Sequence, residues 1–452
     1  MGSSKAYRSV GVQSVEAARL VAGHDGQDLV VGVDVGKGKL HMMLYWSFES
    51  RSRPIVVHQP SELRAAIGLL QELSQGRRMR VALEPSGTYG DAFRYGCSQA
   101  GLAVERVSGA ASKKHSEVMD NTNSQHDGKD AGVIAELAFM GKSKAWPWEQ
   151  PQGDEDMLRV HADLMVLTRE EKVRWTGRLE GRLARHWPEV LSLLDLDSPT
   201  LLQALVRYQS PAKLADDPEA EGRLRAFGSQ LLSAEKAQAV VASARETVGV
   251  AMTPGSEYEL KVIAEKLLEL KQQDREHERM VERLGPKTPA VGILAPALGK
   301  ATATVLYLEC GDPGRYPSCD AYLNALGLNL VEHSSGLQQG NLRISKRGSP
   351  RGRKWLYLAS LRFIRDEGNT QAWYHRKVAR DGGVKMRAVI GVMRKLARSI
   401  YHCCSTGEEF DSQKVFQSHK PNKSRRRNRQ RRCHSGRQEA CVATQGERKD
   451  VI

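Results

Sequence analysis

The chain has 452 residues, a formal net charge of +15 at pH 7 and a hydrophobic fraction of 40%. This length excludes a single small domain and predicts two or three domains with separate cores. No apolar run reaches the roughly 18 residues of a membrane span, and the first 27 residues lack the apolar stretch of a secretory signal. We therefore expect a cytoplasmic protein with no membrane partner, whose seven scattered cysteines are free thiols rather than a disulfide framework.

The N-terminal part of the chain predicts a mixed sheet that follows a leader over residues 1–27. Three apolar runs rich in β-branched residues predict a β-meander, at residues 28–34, 39–46 and 53–58. Helices and strands then alternate, with helices predicted at 61–73, 89–100, 112–119 and 129–140 and strands at 78–84 and 102–107. A meander followed by this alternation is typical of an α/β sheet of the ribonuclease H kind. We predict such a domain over residues 28–145.

The middle of the chain, residues 154–288, is predicted to be helical. Two apolar stripes run between its many charged residues, one at Met157, Val160, Leu164, Leu167, Leu179 and Leu183 and one at Leu260, Ile263, Leu267, Leu270, Val281 and Leu284. The stripes indicate either antiparallel coiled-coil arms or a dimer contact. Ordinary helices of a bundle are the alternative.

A third, mostly α-helical domain is predicted over residues 289–405. An apolar turn with a glycine opens a helix near residue 299, where backbone amides can hold a phosphate. A basic block with small residues follows at 343–354, and small residues let a backbone approach a phosphate chain closely. The residues expected to contact nucleic acid are Gly299, Lys300, Arg343, Lys346, Arg347, Arg351, Arg353 and Lys354.

The C-terminal segment, residues 406–452, is predicted to be a basic, disordered tail. From Gln413 to Ile452 it holds 12 Lys or Arg against 3 Asp or Glu. Dense arginine without acidic neighbours favours contact with phosphate groups. A tail that only keeps the protein in solution is the alternative.

Four acidic residues occupy positions suited to metal-ion chemistry. Asp34 and Glu84 close the first and fourth predicted strands, and Asp127 and Asp130 lie three residues apart at a predicted helix start. Mg²⁺ prefers carboxylate oxygens, and it stabilises both the attacking and the leaving oxygen in phosphodiester chemistry. Taken alone, Asp127 and Asp130 are better explained as residues that stabilise a helix start.

These acids lie in blocks that resemble a known family. The blocks are VDVGK at 33–37, LEPSGTY at 83–89, DGKDA at 127–131, LG at 298–299, ECGD at 309–312, YLNALGL at 322–328, SG at 335–336 and ISKRG at 344–348. They resemble, in order, the RuvC-like DEDD domain and the second domain of the insertion-sequence transposases of the IS one-ten and IS eleven-eleven group, which includes the Piv-type DNA invertases. The resemblance covers about residues 28–140 and 290–402.

The resemblance implies a recombinase that excises and inserts its own element. It implies Mg²⁺ held by the four acids, Ser335 as nucleophile, and a noncoding guide RNA that pairs with donor and target DNA. We expect a homodimer or homotetramer, and Ser334 is the neighbouring alternative nucleophile. Two other functions remain open: a RuvC-like nuclease in which metal-bound water attacks the phosphate, and a non-catalytic nucleic-acid-binding protein.

Overall fold

A computed structural model describes residues 8–85, 87–120, 126–150, 153–228, 232–332 and 342–416. The chain divides into two compact units, Met1–Gln150 and Pro151–Ile452. None of the helices in the described ranges has the length and apolar character that a membrane span requires. The described cysteines are free thiols, as expected, at Cys97, Cys310, Cys319, Cys403 and Cys404.

The described residues of the first unit form a seven-strand mixed sheet. Its strands are β1 Val10–Gly11, β2 Leu29–Val35, β3 Lys39–Tyr45, β4 Ile55–His58, β5 Met79–Leu83, β6 Ala103–Val107 and β7 Ser143–Ala145. They lie side by side in the order β1-β4-β3-β2-β5-β6-β7. Strands β2, β3 and β4 form the expected antiparallel meander, and β5 and β6 continue the sheet parallel to β2.

Helices cover both faces of this sheet. They are α1 Ala17–Leu20, α2 Leu63–Leu73, α3 Asp91–Gln99, α4 Gly109–Asp120 and α5 Asp127–Phe139. On one face Val31 and Val33 of β2 share a core cluster with Leu70 of α2 and Phe93 of α3. On the other face Val30 packs in a cluster with α5. Because β2 is buried on both sides, its sequence is a continuous apolar run rather than an alternation.

The described end of the predicted leader belongs to this unit, which corrects the expectation of a separate segment over residues 1–27. Strand β1 pairs in parallel with Ile55 and Val56 of β4, and Val12 after it is buried. Strand β7 was also missed, since Ser143–Ala145 is only three residues long and carries no apolar pattern. Strands β1 and β7 form the two edges of the sheet, where pairing to a single neighbouring strand decides whether so short a segment is extended.

The second unit begins with a long helix, five short helices and a second long helix, in that order along the chain. These are α6 Asp154–His186, α7 Val190–Leu193, α8 Pro199–Tyr208, α9 Pro211–Ala215, α10 Ala220–Gly228, α11 Ala234–Arg245 and α12 Pro254–Leu284. Helices α6 and α12 pair antiparallel, because Arg182 contacts Glu259 at 2.7 Å while His161 contacts His277 at 3.1 Å. The predicted arms therefore pair with each other within one chain.

The two predicted stripes have different outcomes. All six apolar residues of the α12 stripe are buried. On α6 the predicted residues from Met157 to Leu167 are 40–57% exposed, because this part of the helix instead buries Leu158, Ala162 and Met165, whereas the predicted Leu179 and Leu183 are buried. A heptad pattern fits both faces of α6, so the partner helices rather than the sequence decide which face is covered.

The rest of the second unit is mostly helical. Its elements are α13 Pro289–Leu298, α14 Lys300–Cys310, α15 Cys319–Ala325, β8 Leu330–Val331, β9 Arg343–Ile344, α16 Pro350–Asp366, α17 Gly368–Arg380, α18 Lys385–Thr406 and α19 Ser412–Phe416. Leu158 and Met165 of α6 share a core cluster with Val305 of α14 and Trp355 of α16. This shared core explains why the middle and C-terminal regions form one unit.

Helix α19 corrects the start of the predicted tail. Residues 412–416 were assigned to a disordered segment, but Phe416 is 1% exposed and packs in the same cluster as Val392 and Leu396 of α18. The apolar pair Val415 and Phe416 was the only sequence signal for a packed segment here, and the many basic residues that follow it obscured that signal. The remainder of the predicted tail, 417–452, lies outside the described residues.

Candidate functional site

Asp34 and Glu84 lie at the same end of two neighbouring strands. Strands β2 and β5 are parallel, and Val33 is the register partner of Leu83. Asp34 and Glu84 each follow that pair by one residue, so both emerge at the carboxyl end of the sheet. This is the placement that the sequence predicted for them.

Helix α5 brings Asp127 and Asp130 to the same place. It crosses β2 at Gly32, where an added Cβ would lie 2.1 Å from the carbonyl oxygen of Ala131 and 2.4 Å from the amide nitrogen of Ala135. Only a residue without a side chain permits this approach. The close packing sets the first turn of α5, with both acids, beside the end of β2.

The electrostatics of Asp34 report how closely the four acids are grouped. Burial, followed by the charges of Asp130, Asp127 and Glu84, raises the pKa of Asp34 to about 6. Burial and the charge of Asp127 likewise raise the pKa of Asp130, although Lys129 next to it opposes the shift. Like charges held together in this way favour proton or cation uptake. We call these four residues the carboxylate end of the sheet.

Glu84 also lies against the start of α4. An added Cβ on Gly109 would come within 2.1 Å of the Glu84 Oε1 atom. Glycine at the first position of α4 therefore leaves room for this carboxylate. The sequence gives no signal for Gly109, because its role depends on the neighbouring strand.

His41 is a further residue of this region that the sequence analysis missed. It is the register partner of Asp34 on β3, and its Nδ1 atom lies 3.5 Å from Asp127 Oδ2. Burial lowers the pKa of His41, while the charge of Asp127 opposes that shift. A lone histidine within the apolar run of β3 was the available signal.

The donor chemistry of the carboxylate end suits a hard cation such as Mg²⁺, since all four groups are carboxylates and their charges repel. In the described ranges, however, no three His, Cys, Asp or Glu side chains are arranged to hold one metal ion as they stand. The Asp127 side chain is 72% exposed and lies beside His41.

In the second unit, several predicted nucleic-acid contacts are engaged within the chain. Arg351 pairs with Asp163 of α6 at 2.8 Å and with Glu309 of α14 at 3.2 Å. Lys354 pairs with Glu170 at 2.8 Å. These two cations of α16 fasten α6 and α14 to the basic block, which is a structural role that the sequence did not reveal.

Arg353 and the glycines near it also serve the fold. Arg353 donates to the backbone carbonyl of Leu326 at 3.1 Å. An added Cβ on Gly348 would lie 2.3 Å from the carbonyl oxygen of Ala325 and 2.4 Å from the amide nitrogen of Gly327. Gly348 of the block thus permits close approach of protein backbone to protein backbone. This contact differs from the phosphate contact that motivated the prediction.

The remaining predicted contacts are accessible. Arg343, Lys346 and Arg347 are exposed, and so are Gly299 and Lys300 at the junction of α13 and α14. Gly299 has φ 78°, a backbone conformation that favours glycine, and it is the single residue between the end of α13 and the start of α14. Within the described ranges, these residues can meet phosphate without the loss of an ion pair.

The proposed nucleophile Ser335 and its neighbour Ser334 lie outside the described residues. Strands β8 and β9, on either side of that range, pair antiparallel with Leu330 opposite Ile344.

One comparison with known proteins bears on this unit. Residues 295–375 match the family model described as Transposase IS116/IS110/IS902 family. This part of the chain is similar to those transposase domains, which supports a DNA transposase or recombinase in general and implies DNA binding. The match covers part of the second unit and does not include the carboxylate end. Among curated proteins, none matches the chain.

Proposed function

We propose that this protein is an insertion-sequence transposase that cuts and rejoins DNA with a RuvC-like carboxylate site and a serine nucleophile. The observation that carries the proposal is the grouping of Asp34, Glu84, Asp127 and Asp130 at one end of the sheet, where burial, followed by the charges of the other three acids, raises the pKa of Asp34. The transposase match at residues 295–375 supports the choice of DNA as substrate.

In this proposal the four acids would hold Mg²⁺. When bound, Mg²⁺ stabilises negative charge on the oxygens of a phosphodiester during displacement. His41 would keep Asp127 oriented through the contact at 3.5 Å. Close packing of α5 against Gly32 keeps the first turn of the helix beside β2.

Ser335 is proposed as the nucleophile because of its place in the SG block of the sequence. Its Oγ atom forms a bond to phosphorus while the phosphorus bond to the leaving sugar oxygen breaks. The serine loses its proton and the leaving oxygen gains one, and rejoining reverses both transfers with another strand end. The protein–DNA bond conserves the energy of the phosphodiester.

Further parts of the proposal rest on the family resemblance alone. They are a noncoding guide RNA that pairs with donor and target DNA, and assembly as a homodimer or homotetramer. The arginine-rich segment 423–432, outside the described residues, would add phosphate contacts.

The test is to trap the covalent intermediate. Labelled donor DNA is incubated with the protein, guide RNA and Mg²⁺, denatured, and separated by size. We expect DNA that migrates with the protein for the wild type and for Ser334→Ala. We expect none for Ser335→Ala, because a methyl group cannot attack phosphorus, and none for Asp34→Asn.

Two outcomes would contradict the proposal. Adduct from Ser335→Ala but not from Ser334→Ala would assign the nucleophile to Ser334. Cleavage that proceeds in Ser335→Ala without any adduct in the wild type would indicate the metal-dependent nuclease instead. Circular dichroism of each variant shows whether it remains folded.

A further inference from the structure

A basic groove lies in the second unit between the β8–β9 pair and helices α16, α17 and α18. Its volume is about 1300 Å³. Among the described residues that line it, ten are Lys or Arg and one, Asp381, is acidic. We define the basic groove by six of these cations, which are Arg343, Lys346, Arg353, Arg394, Lys395 and Arg398.

Acidic side chains neutralise only part of this surface. Asp381 is shared between Lys377 at 2.5 Å and Arg380 at 3.3 Å. Glu170 of α6 pairs with Lys354 at 2.8 Å. These contacts place one acidic partner beside the two cations Lys377 and Arg380 of α17 and one beside Lys354 of α16.

On α18, two cations contact neutral backbone atoms. Arg394 donates to the carbonyl of Leu328 at 3.1 Å, and Lys395 donates to the carbonyl of Val415 at 2.7 Å. Burial lowers the pKa of both groups, and the nearby charge of Arg398 lowers them further. Carbonyl contacts orient these side chains without cancelling their charge.

Arg398 completes this group one turn after Arg394. Its acidic neighbour is Asp320, whose side chain is 88% exposed and 4.0 Å away. Solvent screens such an exposed pair strongly. The α18 side of the groove therefore holds three cations close together with little compensating charge, an arrangement that a bound anion would relieve.

We propose that the basic groove binds the phosphodiester backbone of a nucleic-acid strand, which Arg394, Lys395 and Arg398 contact from α18 and Arg343 and Lys346 contact from β9 and the turn after it. The proposed function enters only in that a nucleic acid is taken as the substrate; the inference does not depend on the carboxylate end. It places the main phosphate contacts on α18, outside the basic block that the sequence singled out.

The size of the groove favours a strand over a single small anion. Pockets for small molecules are about 300–1,000 Å³, whereas this groove is about 1300 Å³ and takes its cations from separate elements. Successive phosphates along a strand match cations spread in this way. Leu330 and Leu342, which also line the groove, flank the range 333–341 in which the proposed nucleophile lies.

The test measures binding by the full chain in EDTA, so that cleavage plays no part. Fluorescence anisotropy is recorded with labelled single-stranded DNA, duplex DNA and single-stranded RNA of equal length, over a range of salt. The variants are Arg394→Gln/Arg398→Gln and Arg398→Gln alone, the second of which keeps the contact of Arg394 with Leu328. The matched control is Arg275→Gln/Arg279→Gln, which removes two exposed arginines of the same spacing from α12.

We expect the double variant to lower the salt slope of log K by about 1.4–1.8, since each lost phosphate contact removes about 0.7–0.9. Arg398→Gln should lose about half of this and the α12 control none. The probe that shows the largest loss identifies the strand. Salt slopes equal to the control for all three probes would overturn the proposal, as would full displacement of each strand by inorganic phosphate at an equal concentration of phosphate groups.

Discussion

The carboxylate end of the first unit groups negative charges, whereas the basic groove of the second unit groups positive charges. Burial, followed by the charges of the three neighbouring acids, raises the pKa of Asp34 to about 6, and burial, followed by the charge of Arg398, lowers the pKa of Arg394 and Lys395. Among the described residues, each group is only partly compensated within its own unit, by His41 at 3.5 Å from Asp127 and by Asp320 at 4.0 Å from Arg398. A ligand of opposite charge would relieve each group, and we propose a metal cation in the first case and phosphate in the second.

The two sites differ in how the fold holds them together. The carboxylate end depends on backbone packing, because α5 can approach β2 only over Gly32. The basic groove takes its cations as side chains from several separate elements. Backbone changes should therefore abolish the first site, while the second should weaken one contact at a time.

The largest effect is expected from Gly32→Ala. The added methyl group would lie 2.1 Å from the Ala131 oxygen, so α5 must move away from β2. Such overpacking should lower the free energy of unfolding by about 3 kcal/mol. Strand cleavage should be lost as well, because Asp127 and Asp130 move with the helix. Thermal denaturation and a cleavage assay measure the two effects.

The matched control is Gly68→Ala in α2 of the same unit. A Cβ there meets nothing within 4 Å, so this change should stabilise the helix by about 0.5–1 kcal/mol. If Gly32→Ala is as stable and as active as Gly68→Ala, close packing of α5 does not hold the carboxylate end in place.

Asp34 and Glu84 could be predicted from the sequence because each interrupts a strong local pattern, whereas Asp127 and Asp130 stand at a helix start that suits acidic residues in any case. Asp34 ends a run of buried apolar residues, Glu84 ends another, and parallel neighbours bring their carboxyl ends together. His41 and Gly109 escaped prediction since their roles arise only when β3 and α4 take their places beside these acids.

The basic groove could be predicted only in part. Arg343 and Lys346 stand in a dense basic block, whereas Arg394 and Arg398 are spaced along α18 like cations on any solvated helix face. The α6 stripe at Met157 failed for the same reason, since a helix pattern does not state which face its partners cover. Which helix face is buried, and which cations meet in the groove, depends on packing between elements that are distant in the sequence.

A smaller effect is expected from Asp34→Asn in EDTA. The folded pKa of Asp34 is about 6 against an ordinary value of 3.8, so the native state binds more protons than the unfolded state between these values. Wild-type stability should therefore fall, relative to the variant, as pH rises from about 4 through about 6. At pH 7.5 the variant should be more stable by about 1–2 kcal/mol, after discount for solvent screening.

Denaturant unfolding at pH 4 and pH 7.5 measures this difference, which should be near zero at the lower pH. Added Mg²⁺ should narrow the gap at pH 7.5, because a cation that binds only the native wild type stabilises it. A variant that is less stable than the wild type at pH 7.5 would show that the acids are not in mutual repulsion.

The smallest effect separates structural from phosphate-binding cations in the basic block. Arg351→Gln/Lys354→Gln removes the ion pairs with Asp163, Glu309 and Glu170 and should cost about 0.5–1 kcal/mol of stability, because these pairs are partly exposed. It should leave the salt slope of nucleic-acid binding nearly unchanged.

The matched variant Arg343→Gln/Lys346→Gln makes the same change in net charge. It should leave stability unchanged while lowering the salt slope by about 1.4–1.8. Denaturant unfolding and anisotropy on both variants give the comparison. Equal salt slopes would mean that both pairs act only through net charge, and the distinction between the groove and its supporting ion pairs would then fail.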